Sequence, residues 1–312
     1  MKVFFVITID TEIDRSPDWK VSTNETFSSV LEGIPKKLTP LFNKFGAKPT
    51  YLLSSEVIEN NNCLAVLKNI KNCELGTHLH GDLIEPQKTV DKLSGAFVKA
   101  MQSFYPKEIE YQKLKNLTDL FIRKFGYQPK SFRAGRFAVG NNTINSLEKL
   151  GYLIDSSITP GIDWNYPEGR ANFLQTKEQP YFPSRENFLK AGDSKILEIP
   201  VSIFSSSLRK IKIPTRICEK LFPATWLRPS FQSLEEMLQV IKKLIKKHQR
   251  KEIVILNMMF HSMEVIPGAS PYVQTEKESK ELLEKIERTL KYAKTNGFNF
   301  VTLSGLYPYL KR

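Results

Sequence analysis

Short apolar runs that alternate with amphipathic stretches predict an α/β fold, with parallel strands arranged as a barrel or a wound sheet. Three observations carry that expectation. Runs rich in Val, Ile, Phe and Leu recur at residues 3–9, 50–53, 196–204, 253–260 and 299–303, with shorter candidates near Leu75 and Leu153. Helical periodicity fills several of the intervals between them. The composition, 312 residues with 41% hydrophobic and 25% charged, supports a sizeable core and excludes disorder as the main state.

The opening run is uniformly apolar up to Asp10, which suits a buried strand. Its roughly seven apolar residues are too few to span a membrane, and no small-residue cleavage site follows, so neither an anchor nor a signal peptide is expected there. Helices are expected over Val30–Phe45, closed by Gly46, and over Val57–Ile70, Glu110–Phe125 and Thr143–Leu150. Two more are expected over Leu234–His248, with Ser233 as N-cap, and over Glu276–Asn296, closed by Gly297. Residues 160–232 break the alternation, being rich in Pro, aromatics and Ser, as from Pro160 to Pro167 and from Phe222 to Pro229. They are expected to be long loops carried on one domain covering residues 1–312. Cys63, Cys73 and Cys218 are odd in number and form no motif, which fits a reducing cytoplasm.

The chemistry is expected at strand ends. His78 and His80 lie two apart after the Leu75 stretch, so in an extended segment both imidazoles can converge on one cation. Asp10 and Glu12 have the same spacing after the first run. Arg133 and Arg136 flank a small-residue turn, where arginine suits a fixed carboxylate. His261 closes the run at 253–260. Each signal alone also fits a plainer reading: hydrogen-bonded histidines, solvated acids, a capped turn. Three of the four histidines and an acid pair all fall at the ends of apolar strands, and in parallel α/β folds sites assemble at the strands' carboxyl ends.

At these residues the chain resembles, from Val3 to about Leu306, the polysaccharide deacetylases with a NodB-type domain. The matching segments, in order, are Asp10-Thr11-Glu12, Leu75 to His80, Phe132 to Arg136, Asp155 to Trp164, and Phe260-His261-Ser262. The resemblance implies a distorted (β/α) barrel and a hydrolase that removes an acetyl group from an amide or ester of a glycan or acetylated amino sugar. It implies a divalent metal, zinc by preference with cobalt or nickel as alternatives. Asp10 would be the general base, Glu12 and His78 metal ligands, and His261 the catalytic acid. Two departures follow from the residues present: Thr11 stands where the family has a second, adjacent aspartate, which leaves Glu12 as the metal-binding acid, and Asp82 stands where the family has a second histidine. His80 is taken as the third ligand, with Asp82 as the alternative. Arg133 would orient Asp10, and Asp155 or Asp163 would orient His261. Arg136, Trp164 and Tyr272 are candidates to hold the sugar. Two other readings are a metal-free glycan-binding relative and a cyclic-amide hydrolase on the same barrel.

The formal charge of +13 favours anionic partners, yet no nucleic-acid-reading motif accompanies it. From Arg209 to Lys251 twelve Lys or Arg stand against three Glu, and helical spacing of Leu234, Met237, Leu238, Ile241, Leu244, Ile245 and His248 would turn Lys242, Lys243, Lys246 and Lys247 outward. That face is either solvated or suited to peripheral contact with anionic lipid headgroups at the inner membrane surface.

Overall fold

The computed structural model describes residues 1–17, 26–89, 100–166, 169–205 and 223–310. In chain order the elements begin with β1 (Lys2–Thr11), a π-helical run Ser29–Leu38 continuing into α1 (Thr39–Phe45), and β2 (Pro49–Leu53). Next come α2 (Ser55–Glu59), α3 (Asn61–Asn69), β3 (Glu74–Leu79), α4 (Lys107–Phe125), β4 (Ser131–Ala134), α5 (Asn141–Lys149) and β5 (Ile154–Asp155). The hairpin β6 (Asp163–Tyr166) and β7 (Gly169–Asn172) precedes β8 (Leu197–Glu198), β9 (Ile203–Phe204) and β10 (Thr225–Trp226). The chain closes with α6 (Leu234–Lys247), β11 (Ile253–His261), α7 (Glu276–Thr295), β12 (Asn299–Phe300) and α8 (Tyr307–Leu310).

Seven strands form a curled parallel sheet in the order β11-β1-β2-β3-β4-β5-β8, with β12 pairing beside Phe4 and Phe5 of β1. Backbone hydrogen bonds bridge the gap between β8 and β11: Ser202 N to Asn257 O (3.0 Å), Leu227 N to Ser202 O (2.8 Å) and Met259 N to Leu227 O (3.3 Å). The result is a distorted (β/α) barrel. Strand alternation sorts β1 into two faces. Phe5, Ile7 and Ile9 pack outward with Leu38, Met237 and Leu290 from the surrounding helices. Phe4 and Val6 point inward with Leu52, Ile154, Leu197 and Leu303. Thr8, Asp10 and Glu12 continue the inward row, so the same parity that fills the barrel delivers two acids to its rim.

Three expectations change in detail. The helix over Val57–Ile70 is broken at Asn60, whose side chain accepts from the backbone N–H groups of Asn62 and Cys63 and so caps a new helix. The helix from Val30 starts as wide turns around Pro35, which has no N–H for the ordinary ladder. The run 196–204 is two short strands in different sheets, interrupted at Pro200. Lys242, Lys243, Lys246 and Lys247 face outward on α6 as expected; Cys218 and residues 206–222 of the basic region lie outside the described residues.

Candidate active site

The carboxyl ends of β1, β3, β4 and β11 converge on a cavity of about 290 Å³. Register sets the meeting: Asp10 is the Cα partner of His261, and His78 of Arg133. Arg133 is fully buried and spends its whole fork inside the barrel. One terminal nitrogen donates to Asp10 Oδ1 (2.7 Å), the other to Thr8 Oγ1 (2.8 Å) and Ser156 Oγ (2.9 Å), and Nε donates to the Ser156 carbonyl (2.7 Å). Burial alone would raise the pKa of Asp10, but Arg133, helped by His78 and His261, outweighs it and lowers the value. Asp10 is thereby held ionised, with Oδ2 turned toward His261 Nε2 at 3.9 Å.

Glu12, His78 and His80 form the group that fits a metal ion, their ligand atoms all lying within 4.8 Å of one another. His78 Nδ1 donates to the Arg133 carbonyl (3.0 Å), the backbone partner that metal-binding histidines commonly use, which leaves the Nε2 lone pair facing the cavity. Nε2 of His78 lies 3.2 Å from Glu12 Oε1, Nε2 of His80 lies 3.2 Å from Glu12 Oε2, and the two nitrogens are 3.1 Å apart. Two nitrogens about 2.0–2.1 Å from one tetrahedral ion lie roughly 3.3 Å apart, so the donor set suits a divalent cation. Burial opposes a charge on His78 and Glu12 alike, but Asp10 and then Glu12 raise the His78 pKa, and His80 with His78 brings that of Glu12 well below the ordinary carboxylate range. Gly135 lets His80 sit where it does, because a Cβ there would stand 2.9 Å from His80 Nδ1 and 2.6 Å from the Leu79 carbonyl.

The remaining expected residues separate. Asp82 and Arg136 line the cavity, but Asp82 is not part of the three-residue metal group. Arg136 and Phe137 both have left-handed backbones (φ 53° and 55°), a strained turn that carries both to the cavity. Trp164 stacks on Phe137 (centroids 5.7 Å, 13° between planes) and donates from Nε1 to Thr159 Oγ1 (2.9 Å). Tyr272 lines the same wall. Asp155 or Asp163 was expected to orient His261; the carboxylate 2.9 Å from its Nδ1 is that of Glu264. Strand parity explains this: Ile154 packs in the barrel interior and Ser156 binds Arg133 there, so Asp155 between them takes the other face. It meets its register partner Glu198 instead, where burial pushes Asp155 up to about 6 and Glu198 well above the carboxylate range. Asp163 begins β6 and is buried outside the cavity lining.

Glu264, Arg228 and Phe231 were not picked out from the sequence. Glu264 follows His261 by three residues in a short turn, and Arg228 and Phe231 come from the loop after β10. The aromatic content of that loop was visible, but its return to the barrel rim was not.

The chain is thus a curled parallel half-barrel with acids and histidines gathered at the carboxyl rim of its strands. No protein-family model matches the chain, and no curated protein matches it. Among solved structures, a protein from Parabacteroides distasonis described as a glycoside hydrolase/deacetylase superposes with a TM-score of 0.65 at 13% identity, over 99% of this chain and 72% of that one. A protein from Mycobacterium smegmatis described as a polysaccharide deacetylase gives 0.56 at 15%, over 99% and 90%. Puue allantoinase gives 0.54 at 12%, over 100% and 91%. At these identities the likeness is one of fold.

Proposed function

We propose that this protein is a divergent member of the NodB-type deacetylases, a metal-dependent hydrolase that removes an N- or O-acetyl group from a glycan or glycan precursor. The observation that carries the reading is the Glu12–His78–His80 group set beside the Arg133-bound Asp10, with His261 across the cavity. A divalent ion held by Glu12, His78 and His80, zinc by preference, would supply Lewis acidity toward the acyl oxygen and acidify water.

The protein's own groups then divide the proton work. Asp10, ionised and with one oxygen pinned by Arg133, takes a proton on Oδ2 from the attacking water. The water oxygen bonds to the acyl carbon. As the bond to nitrogen or oxygen breaks, His261 gives its Nε2 proton to the leaving group, and Glu264 at Nδ1 balances the charge. Acetate and the deacetylated sugar leave. Phe137, Trp164 and Tyr272 form a wall on which a sugar ring stacks, and Arg136 stands beside it. Unpaired Cys63 and Cys73 support placing the protein in the cytoplasm, and no described helix is long and apolar enough to cross a membrane.

Acetate release from N-acetylated and O-acetylated sugars by chelator-stripped and zinc- or cobalt-restored protein tests the reading. Metal-dependent release supports it. Cleavage of a ureide alone would move the assignment to a cyclic-amide hydrolase; the chain shares its fold with Puue allantoinase. Sugar binding with no metal and no release would leave a glycan-binding protein.

A further inference from the structure

Arg228 stands where two parts of the cavity meet. It is 3% exposed, and its place is fixed by the backbone bonds of Leu227 to Ser202 and Met259 across the barrel gap. One terminal nitrogen donates to Glu264 Oε1 (2.6 Å), the same oxygen that accepts from His261 Nδ1 (2.9 Å). Sharing that oxygen brings the guanidinium within 3.1 Å of the imidazole. Arg228 Nε donates to Ser230 Oγ (2.9 Å), and the guanidinium carbon lies 3.9 Å from the ring centre of Phe231 and 5.1 Å from that of Tyr272. The two rings meet edge-on at 5.3 Å, and both line the cavity.

On the deacetylase reading above, we infer that Arg228 is a positioning residue that couples the sugar platform to the proton donor. Its edge holds Glu264 against His261, so Nδ1 is engaged and Nε2 points at the reaction centre, 3.9 Å from Asp10 and 3.8 Å from Glu12. Its face braces Phe231, which is 40% exposed at the cavity mouth, together with Tyr272. A planar guanidinium performs both tasks at once; an ammonium group offers no flat face for the rings. A sugar that presses on Phe231 and Tyr272 therefore bears on the residue that aligns the acid for its own leaving group. A plain structural ion pair would tie the loop to β11 without linking recognition to proton transfer.

The two roles separate by substrate. An amide expels nitrogen only with a proton, whereas para-nitrophenyl acetate expels a stable phenolate without one. In the zinc-loaded enzyme, Glu264→Gln should lower kcat on an N-acetylated sugar about 100-fold, at least about tenfold more than on the aryl acetate, with little change in KM. Arg228→Lys keeps the charge on Glu264 and loses the stacking face, so KM for the sugar should rise about tenfold while kcat falls less than about threefold. Arg228→Ala should show both defects. Nitrogen NMR of the metal-free protein, with His261 assigned through His261→Ala, should show a hydrogen-bonded Nδ1–H in the wild type and a weakened or shifted Nδ1–H signal in Glu264→Gln. Equal losses on both substrates, an unchanged KM in Arg228→Lys, or an unchanged His261 spectrum would overturn the coupling. Wild-type protein that cleaves neither substrate would end the deacetylase reading, and the His261 spectra of Glu264→Gln and Arg228→Ala would still decide whether the clamp exists.

Discussion

Replacing Gly135 by alanine puts one methyl group between β4 and His80, a ligand in the proposed metal site. Its Cβ would stand 2.6 Å from the Leu79 carbonyl oxygen and 2.9 and 3.0 Å from Nδ1 and Cε1 of His80, where about 3.5–4.0 Å is a comfortable separation. Leu79 pairs with Ala134, so its carbonyl cannot retreat without opening the β3–β4 ladder, and the His80 ring must yield as well. Overpacking of this kind costs about 1–3 kcal/mol of stability. Displacing His80 from its partners should weaken zinc binding about 10- to 100-fold, the range seen when a metal ligand's support is lost. Gly76→Ala is the control: its Cβ would stand 2.5 Å from the Ser131 carbonyl and 2.9 Å from Leu52, on the same strand pair but touching no ligand. Urea unfolding of the metal-free proteins and competitive zinc titration read the two effects. Both variants should be destabilised, and Gly135→Ala alone should lose zinc affinity. Wild-type affinity in Gly135→Ala, or an equal loss in Gly76→Ala, would refute the assignment of His80.

Other outcomes follow from the same geometry. Metal analysis should find Glu12→Ala, His78→Ala and His80→Ala each depleted and Asp82→Ala loaded; the reverse for His80 and Asp82 would transfer the third ligand to Asp82. Asp10→Asn should retain metal and lose about 10²- to 10⁴-fold in deacetylation. It should also lower the unfolding midpoint, because the buried Arg133 charge loses its partner; full activity would remove Asp10 as base. Burial pushes Glu264 up, but Arg228 and His261 outweigh it and hold its pKa at about 2. That value lies below the roughly 4.3 of an unfolded chain, so its stabilisation is complete above about pH 4.3 and is lost as pH falls toward 2. Glu264→Gln should flatten that acid limb, and an unaltered limb would contradict the ion pair. If the α6 face meets lipid, sedimentation with anionic but not neutral vesicles should be salt-sensitive and vanish when Lys242, Lys243, Lys246 and Lys247 become Gln; equal behaviour on both vesicle types would leave a solvated face.

The barrel was legible because its strands are buried on both faces and read as unbroken apolar runs, β1 and β11 above all. The rim residues were legible because spacing by two keeps side chains on one face, which brought Asp10 with Glu12 and His78 with His80. Short strands hid the rest. Ile154–Asp155 and Leu197–Glu198 carry too little pattern to reveal their parity, so nothing in the sequence shows that Asp155 faces away from His261. Arg228 lies 33 residues before His261 in an irregular loop, and only tertiary hydrogen bonds across the barrel gap bring it back.

The measurement that bears most directly on the metal-centred reading is anomalous diffraction at the zinc edge from crystals of the zinc-loaded protein. A single strong peak is expected about 2.0–2.2 Å from His78 Nε2, His80 Nε2 and a Glu12 oxygen, with Asp10 bound to Arg133 rather than to the ion. A peak seated on Asp82 without His80, or no peak among these residues, would contradict it.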